Sequence, residues 1–253
     1  MTVRELYKKL VARLPDSLAE SWDNDGLMVC PDEDALVRRV LLALDVTESV
    51  VDFAIENEFD LILTHHPLIF RPLASISEDT PVGRKVIKLI KSGLAVVSFH
   101  TRADRVDGGV NDVLADLLEL SDVEPLSEDG MGRIGYLEKP LTLEEFCTRV
   151  KKTLGVPVLS VSDGGDLVHK VALLGGEGKD YLKAALASGA DTYISGNLGY
   201  HTMEDAPELG INLIEAGHYY SEQPVLEFFE ELLLLIDPSI VIKMIASNNA
   251  RSI

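Results

Sequence analysis

The sequence predicts an α/β fold, and three observations carry this prediction. Short apolar runs alternate along the chain with segments whose apolar residues recur at helical spacing. The runs are continuously apolar, which is typical of parallel strands that are covered on both faces. The 253 residues are 46% hydrophobic and 26% charged, which is enough apolar material for one large domain or two smaller lobes. Together these observations predict right-handed βαβ units.

The first half of the chain predicts strands and helices in regular alternation. Residues 1–20 place Leu and Val at helical spacing among charged residues. Gly93 is expected to end the predicted helix 83–93, because glycine adopts the left-handed C-cap conformation readily. The predicted strands are 38–46, 59–64 and 94–99, and the predicted helices are 48–58, 83–93 and 109–120.

The second half begins after an acidic segment that contains Pro and Gly, residues 121–133, which is the best candidate for a lobe boundary. Beyond it, Thr142 and Glu145 have the spacing of a capping box and predict the start of a helix over 141–155. The further predicted strands are 168–176, 192–196, 211–217 and 239–246, and the further predicted helices are 179–189 and 221–235.

Charge and composition exclude several classes of protein. The formal net charge of −19 and the pI of about 4.6 disfavour binding to nucleic acids or to anionic membrane surfaces. No window of 18 apolar residues predicts a membrane span, and the N-terminus lacks the apolar core of a signal peptide. Cys30 and Cys147 are far apart and are expected to be free thiols in a reducing compartment. We therefore expect a cytoplasmic protein.

Five of the six histidines follow predicted strands, and only His169 stands at the start of one. Ligands of open α/β sheets bind beyond the carboxyl ends of the strands, so these five residues lie where a site is expected. The five are His65 and His66 after 59–64, His100 after 94–99, His201 a few residues after 192–196, and His218 after 211–217.

Two of these histidines have a carboxylate four residues further on, His100 with Asp104 and His218 with Glu222. Imidazole with carboxylate suits Zn, Fe, Mn, Co or Ni, and the number of ligands favours two ions about 3.5–4 Å apart. A single histidine at a strand end is more often a polar boundary residue, and adjacent residues of an extended strand point to opposite faces. Spacing alone therefore leaves a metal site and a polar boundary both open.

The chain resembles one family of dinuclear-metal proteins, the GTP cyclohydrolase type 2 homologues or NGG-interacting-factor-three-like proteins. Seven motifs that follow one another in the order found in that family carry the resemblance. The resemblance spans nearly the whole chain. The motifs are "WDNDGL" (22–27), "LALDVT" (42–47), "LILTHHPLIF" (61–70), "HTRADRVDGGVNDVLA" (100–115), "GGEG" (175–178), "GADTYISGNLGYH" (189–201) and "LGINLIEAGHYYSE" (209–222).

The resemblance implies two divalent metal ions per chain and assigns residues to them. The implied metal ligands are His65, His66, Asp104, His218 and Glu222. His100 and His201 match family histidines that are expected to orient ligands or to act as acid and base.

The resemblance also implies an architecture of two interlinked α/β lobes with mixed, largely parallel sheets and the metal site in the cleft between them. The first lobe is expected to comprise 1–125 and about 236–253, and the second 126–235. The family forms homohexamers that are trimers of dimers, so a homo-oligomer without nucleic acid or membrane partners is expected.

Two departures from the family pattern concern neighbours of the implied ligands. Asn197 stands where the family usually has a carboxylate, and Arg102 with Ala103 stands where it often has Asn-Leu. The "GGEG" segment could bind phosphate or be a plain tight turn, and Trp22 could stack on a base or simply pack.

Two functions remain open at this point. One is a metal-dependent hydrolase that resembles GTP cyclohydrolase type 2, with a nucleotide or another small molecule as substrate. The other is a non-catalytic metal-binding scaffold, metallochaperone or regulatory interaction protein.

Overall fold

The computed structural model describes residues 1–165 and 167–250 and confirms the α/β class. The longest described helices have 12 residues, and none has the length and apolar character needed to span a membrane. The helices are α1 (Val3–Arg13), α2 (Glu48–Glu56), α3 (Pro81–Ser92), α4 (Thr101–Arg105), α5 (Val110–Leu117), α6 (Leu143–Leu154), α7 (Leu182–Ala187), α8 (Tyr200–Leu209), α9 (His218–Glu222) and α10 (Val225–Ile236). The strands are β1 (Gly26–Val29), β2 (Arg39–Ala43), β3 (Leu61–Thr64), β4 (Ala95–Ser98), β5 (Ser121–Pro125), β6 (Arg133–Leu141), β7 (Ser160–Ser162), β8 (Val168–Glu177), β9 (Thr192–Asn197), β10 (Asn212–Glu215) and β11 (Val241–Met244).

The described chain divides into two compact units. The first unit comprises Met1–Ala103 and Val225–Ala250, and the second comprises Asp104–Pro224. One boundary falls inside α4 and the other falls directly before α10. The last three residues of the chain lie outside the described part.

The first unit is built on a sheet in the order β1-β4-β3-β2-β11. The strands β11, β2, β3 and β4 are parallel, and β1 pairs with β4 in the antiparallel direction. Leu41, Ile62 and Val96 lie in one buried cluster of this unit with apolar residues of α2 and α3. α3 begins at its Thr80 cap and ends at Gly93, which has a φ of 71° as its C-cap role requires.

The second unit is built on a sheet in the order β5-β6-β8-β9-β10-β7. β8, β9 and β10 are parallel, whereas the remaining pairings are antiparallel. Ile194 and Ile214 pack with α5 and α6 in one apolar cluster, and Tyr193 and Leu213 pack with α7 and α8 in another. The sheet is therefore covered on both faces, which explains the continuous apolar runs in its strands.

The structure differs from the sequence prediction at several elements. The acidic segment 121–133 contains β5, which pairs with β6. The predicted helix 221–235 is two helices, because Pro224 lacks the amide hydrogen that a continuous helix would use between α9 and α10. β1 and α8 were not predicted, and α8 contains Pro207, which disfavours a helix in the sequence pattern.

Candidate metal centre

Three histidines follow the ends of two neighbouring strands of the first unit. β3 and β4 are parallel, with Thr64 opposite Ser98, so the residues after them leave the sheet at the same edge. The Thr64 hydroxyl donates to the carbonyl of His66 (2.9 Å) and lies 2.8 Å from the Ser98 hydroxyl. These bonds tie the turn that carries His65 and His66 to both strands.

His65 is fully buried, and a backbone oxygen sets the orientation of its ring. Its Nδ1 lies 3.0 Å from the carbonyl oxygen of Phe99. A carbonyl oxygen only accepts hydrogen bonds, so Nδ1 carries the proton and the lone pair resides on the buried Nε2. Metal-binding imidazoles adopt this tautomer when an outer oxygen takes the Nδ1 proton.

His66 is oriented in the same way by Asp45, which follows β2. The Nδ1 of His66 lies 2.8 Å from Oδ1 of Asp45. Asp45 is in turn bound by Ser247, whose hydroxyl oxygen accepts from the Asp45 amide (3.1 Å) and lies 3.2 Å from Oδ2. The segment after β11 thus supports the carboxylate that orients His66.

Asp23 orients the third histidine, His100. The Nδ1 of His100 lies 2.9 Å from Oδ1 of Asp23, and the amide and hydroxyl of Thr101 donate to Oδ2 at 3.1 and 2.6 Å. Burial by itself would raise the pKa of Asp23, but the hydrogen bond and charge of His100, together with Thr101, outweigh it and lower the pKa to about 2. Asp23 is therefore a carboxylate at neutral pH and accepts a hydrogen bond from Nδ1 of His100.

These three residues, His65, His66 and His100, form a group that can hold a metal ion, which we call the histidine cluster. One ligand nitrogen of each ring lies within 4.8 Å of those of the other two, and the ring centroids are 5.1, 5.2 and 5.6 Å apart. All three rings direct Nδ1 to an oxygen, which places the lone pair of each neutral ring on Nε2. Three such imidazoles fit a divalent cation of the zinc, iron, manganese, cobalt or nickel kind.

The second unit contributes a histidine and a carboxylate on one helical turn. In α9, Nε2 of His218 lies 3.0 Å from Oε2 of Glu222, at the i, i+4 spacing that the sequence indicates. Glu222 is buried with 4% of its surface exposed, whereas the side chain of His218 is half exposed. Gly217, with a φ of 83°, provides the turn into α9.

Glycines of β8 and β9 make room for this turn. Gly176 has a φ of 68°, and a Cβ at this position would lie 2.0 Å from Oε1 of Glu222. A Cβ at Gly196 would lie 2.4 Å from the hydroxyl oxygen of Ser221. That hydroxyl accepts from the Gly176 amide and donates to the carbonyl of His218, both at 3.0 Å. The buried position of the Glu222 carboxylate therefore depends on the absence of side chains beneath it.

Asp104 lies in α4, directly after the histidine cluster in sequence, and is largely buried. The side-chain amide of Asn111 donates to the carbonyl of Asp104 (2.9 Å) and accepts from the amide of Gly175 (2.9 Å). Asn111 thus fixes the backbone at Asp104 to β8, and Oδ1 of Asp104 is a buried atom.

A sequence profile of the Duf34/NIF3 family, NGG1p interacting factor 3, matches residues 1–251. The chain belongs to the Duf34/NIF3 family. It is 42% identical over 219 residues to the GTP cyclohydrolase 1 type 2 homolog of Clostridium perfringens, a match that covers 84% of this chain and 83% of the relative. It is 37% identical over 232 residues to the protein of the same name from Clostridium acetobutylicum, covering 88% and 86%.

Solved structures of Duf34/NIF3 relatives share the fold. The Bacillus cereus protein related to NIF3 has a TM-score of 0.90 and 26% identity, covering 100% of this chain and 99% of that one. Reduced HcgD from Methanocaldococcus jannaschii has a TM-score of 0.85 and 30% identity, covering 96% and 97%. The family resemblance expected from the sequence motifs is thereby confirmed.

Arg102, one of the two departures of this Duf34/NIF3 protein from the family pattern, is buried and paired with carboxylates. Its Nε donates to Oδ1 of Asp25 (2.8 Å), and its Nη1 donates to Oδ1 of Asp16 (2.5 Å) and to the carbonyl of Leu14 (3.0 Å). Burial raises the pKa of Asp25, and the hydrogen bond and charge of Arg102 offset that shift only in part. Arg102 therefore stabilises the segment that carries Asp23 and Asp25.

Asn197, the other departure, ends β9 with an exposed side chain. Its backbone carbonyl accepts a hydrogen bond from the amide of Gly178 (3.0 Å). The amides of Gly175 and Gly176 donate to the side chains of Asn111 and Ser221. These three amides of "GGEG" therefore donate within the protein. The segment continues β8 and is neither the tight turn nor the phosphate site that the sequence left open.

His169 and His201 belong to the second unit. His201 is exposed in α8 with its ring 5.3 Å from that of Tyr200, and His169 packs on Tyr136 at the start of β8. Within residues 1–165 and 167–250, no close group of three possible ligands includes His201.

Sequence reasoning missed the two carboxylates that orient the histidine cluster, Asp23 and Asp45. Both stand in quoted motifs, but the predicted strand 38–46 includes Asp45, whereas β2 ends at Ala43. With the strand end placed at Ala43, the strand-end argument applied to carboxylates would have identified Asp45.

Proposed function

We propose that the protein is a metal-dependent hydrolase that resembles GTP cyclohydrolase type 2. The observation that carries the proposal is the common tautomer of the histidine cluster, in which each Nδ1 is directed to an oxygen and each Nε2 holds the lone pair. Under this proposal the chain binds two divalent ions, and the ligands are His65, His66, Asp104, His218 and Glu222.

Bound divalent ions supply Lewis acidity, which lowers the pKa of water and polarises the bond that is to be broken. The chain's own residues then have separate tasks. Phe99 and Asp45 hold the rings of His65 and His66 in the ligating tautomer. His100 is the acid–base group, because Asp23 stabilises its protonated form while Nε2 accepts or returns a proton.

His201 is the second acid–base candidate that the family resemblance implies. Its exposed position on α8 leaves its ring accessible to solvent and to a proton acceptor. Replacing His201 with Ala should lower turnover without changing metal content if it has this role. Unchanged turnover would leave His100 as the acid–base group of the proposal.

The names of the relatives favour a guanine nucleotide as the substrate. The Clostridium perfringens and Clostridium acetobutylicum proteins are GTP cyclohydrolase 1 type 2 homologs. In such a reaction, water adds to C8 of the guanine imidazole ring. The deciding experiment is a screen of GTP, other nucleotides and small amide or phosphate compounds, with each first-row metal in turn. Turnover that vanishes on chelation and returns with one metal supports the hydrolase.

Metal content tests the ligand assignment independently of turnover. Elemental analysis of protein purified without chelators should find about two metal equivalents per chain. His65→Ala should lose most of this metal, and the matched variant His169→Ala should retain it. Metal-loaded protein that turns over no compound in the screen would support a metal store or scaffold in place of the hydrolase.

We also propose that the chain assembles into a homohexamer, a trimer of dimers, as the family resemblance implies. Sedimentation equilibrium of the metal-loaded protein should then give about six chain masses. A species of 27.7 kDa at micromolar concentration would contradict this assembly.

A further inference from the structure

Two large aromatic side chains of the first unit are exposed beside the histidine cluster. Trp22 is 58% exposed and Phe70 is 42% exposed. Their ring centroids are 6.0 Å apart at an interplanar angle of 71°, which is an edge-to-face contact. Exposed apolar rings next to a polar site indicate a binding surface more often than isolated exposed residues do.

Both rings also contact His100 edge to face. The centroid of His100 lies 6.1 Å from that of Trp22 and 6.2 Å from that of Phe70, with interplanar angles of 75° and 85°. The three rings therefore form one aromatic corner, defined by Trp22, Phe70 and His100. His100 belongs to both the corner and the histidine cluster. A ligand that contacts Trp22 and Phe70 therefore lies next to the histidine cluster.

Hydrogen bonds hold the corner in place before any ligand arrives. Asp23, next to Trp22, accepts from His100 and Thr101. The side-chain amide of Asn24 donates to the carbonyl of Ile69, which precedes Phe70. The two exposed rings are thus attached to segments that are bonded to each other and to the histidine cluster. Preorganised rings lose little conformational entropy when they bind.

We propose that the aromatic corner is the subsite for a planar heteroaromatic ring, which stacks on Trp22 or Phe70 and turns its edge towards His100. This inference deepens the proposed function and rests on it. Stacking on an aromatic face is available to any planar heteroaromatic ring, because every such ring has a π-face. The corner thus selects the ring of a small molecule, and the histidine cluster acts on that ring's edge.

Trp22 is the sole tryptophan of the chain, so its fluorescence reports directly on the corner. Metal-loaded protein should show saturable quenching when titrated with guanosine, pterin, riboflavin or nicotinamide, with at least one of the four binding. Ribose should cause no change. Free N-acetyltryptophanamide, titrated in parallel, corrects for collisional quenching and absorbance.

Phe70→Leu retains the Trp22 reporter and should weaken the binding of the quenching ring by about tenfold. Trp22→Leu, followed by calorimetry, should weaken it by a similar factor. Ile90→Ala is the control, because Ile90 is 53% exposed near the end of α3, which precedes the start of β4, whereas the corner follows the end of β4, so the affinity should stay unchanged.

Metal content separates failure of this inference from failure of the proposed function. If two metal equivalents are present and none of the four rings binds, or if Phe70→Leu binds as the unsubstituted chain does, the subsite is wrong. If Phe70→Leu instead lowers the sedimentation mass and no ring binds, the corner is a contact between copies of the chain. If the protein lacks metal, the proposed function fails before the subsite is tested.

Discussion

Each ring of the histidine cluster directs Nδ1 to an oxygen that is distant in sequence. The acceptors lie 34, 21 and 77 residues from His65, His66 and His100. A sequence pattern can identify a histidine at a strand end, but it cannot identify an acceptor that only folding brings close. The tautomer, which decides whether a ring can ligate through Nε2, is therefore a property of the folded chain.

Replacing Asp23 with Asn should lower turnover by about 10–100-fold while metal content stays unchanged, because an amide no longer stabilises the orientation and the protonated form of His100. Turnover of the substrate found in the screen, divided by the metal content from elemental analysis, measures this loss. Asp34→Asn is the control, since Asp34 is an exposed carboxylate of the same unit that contacts Arg4. Equal turnover in both variants would contradict the orienting role of Asp23.

Gly176→Ala should remove metal as well as stability. The φ of 68° costs a residue with a side chain about 1–2 kcal/mol, and the added Cβ would collide with Glu222. Gly189→Ala is the control, because it has a similar backbone cost at a φ of 72° but no atom lies within 4 Å of the added Cβ. Both variants should unfold at a lower denaturant concentration, and elemental analysis should find a loss of metal only in Gly176→Ala. Normal metal content in Gly176→Ala would show that Glu222 tolerates displacement.

At the scale of elements, local signals predicted the helices and strands that have strong caps or long apolar runs. Thr142 and Glu145 form the capping box of α6, and Gly93 ends α3, as the sequence indicated. β7 was missed because its three residues include two serines and form no apolar run, and β1 was missed as well. The order of the strands in each sheet also escapes local sequence, because it depends on which strands become neighbours.

Thr142→Ala should lower the stability of the second unit by about 1 kcal/mol, because the first turn of α6 loses its side-chain acceptor. Thr148→Ala makes the same substitution inside the same helix. There the hydroxyl only bonds back to the carbonyl of Glu144, and alanine is the better helix former, so stability should stay equal or rise. Denaturant midpoints by circular dichroism compare the two. A larger loss of stability in Thr148→Ala than in Thr142→Ala would contradict the capping role of Thr142.

At the scale of the whole molecule, the net charge of −19 favours divalent cations over anionic partners. The covalent chain crosses twice between the two units, once within α4 and once before α10. Asp104 and the pair His218 and Glu222 thus belong to the second unit, whereas the histidine cluster belongs to the first. Folding of both units is therefore required before the proposed ligand set is complete.

Metal should stabilise the folded protein, because ions that bind only the native state shift the unfolding equilibrium. Free metal at about 100 times its dissociation constant adds about 2.7 kcal/mol. Dialysis against a chelator should lower the melting temperature, and added metal should restore it. In His218→Ala, the melting temperature should respond much less to metal, while the sedimentation mass stays unchanged. If added metal raises the melting temperature of His218→Ala as much as that of the unsubstituted chain, His218 is not a ligand.

The sequence by itself determined the α/β class, the family and the placement of histidines at the ends of parallel strands. These follow from local composition and from motifs, which folding does not alter. Only the tertiary structure decided which oxygens orient His65, His66 and His100, that a side chain at Gly176 would meet Glu222, and that Trp22 is exposed beside His100. Those facts depend on contacts between residues far apart in the chain, and such contacts exist only after the sheets have formed.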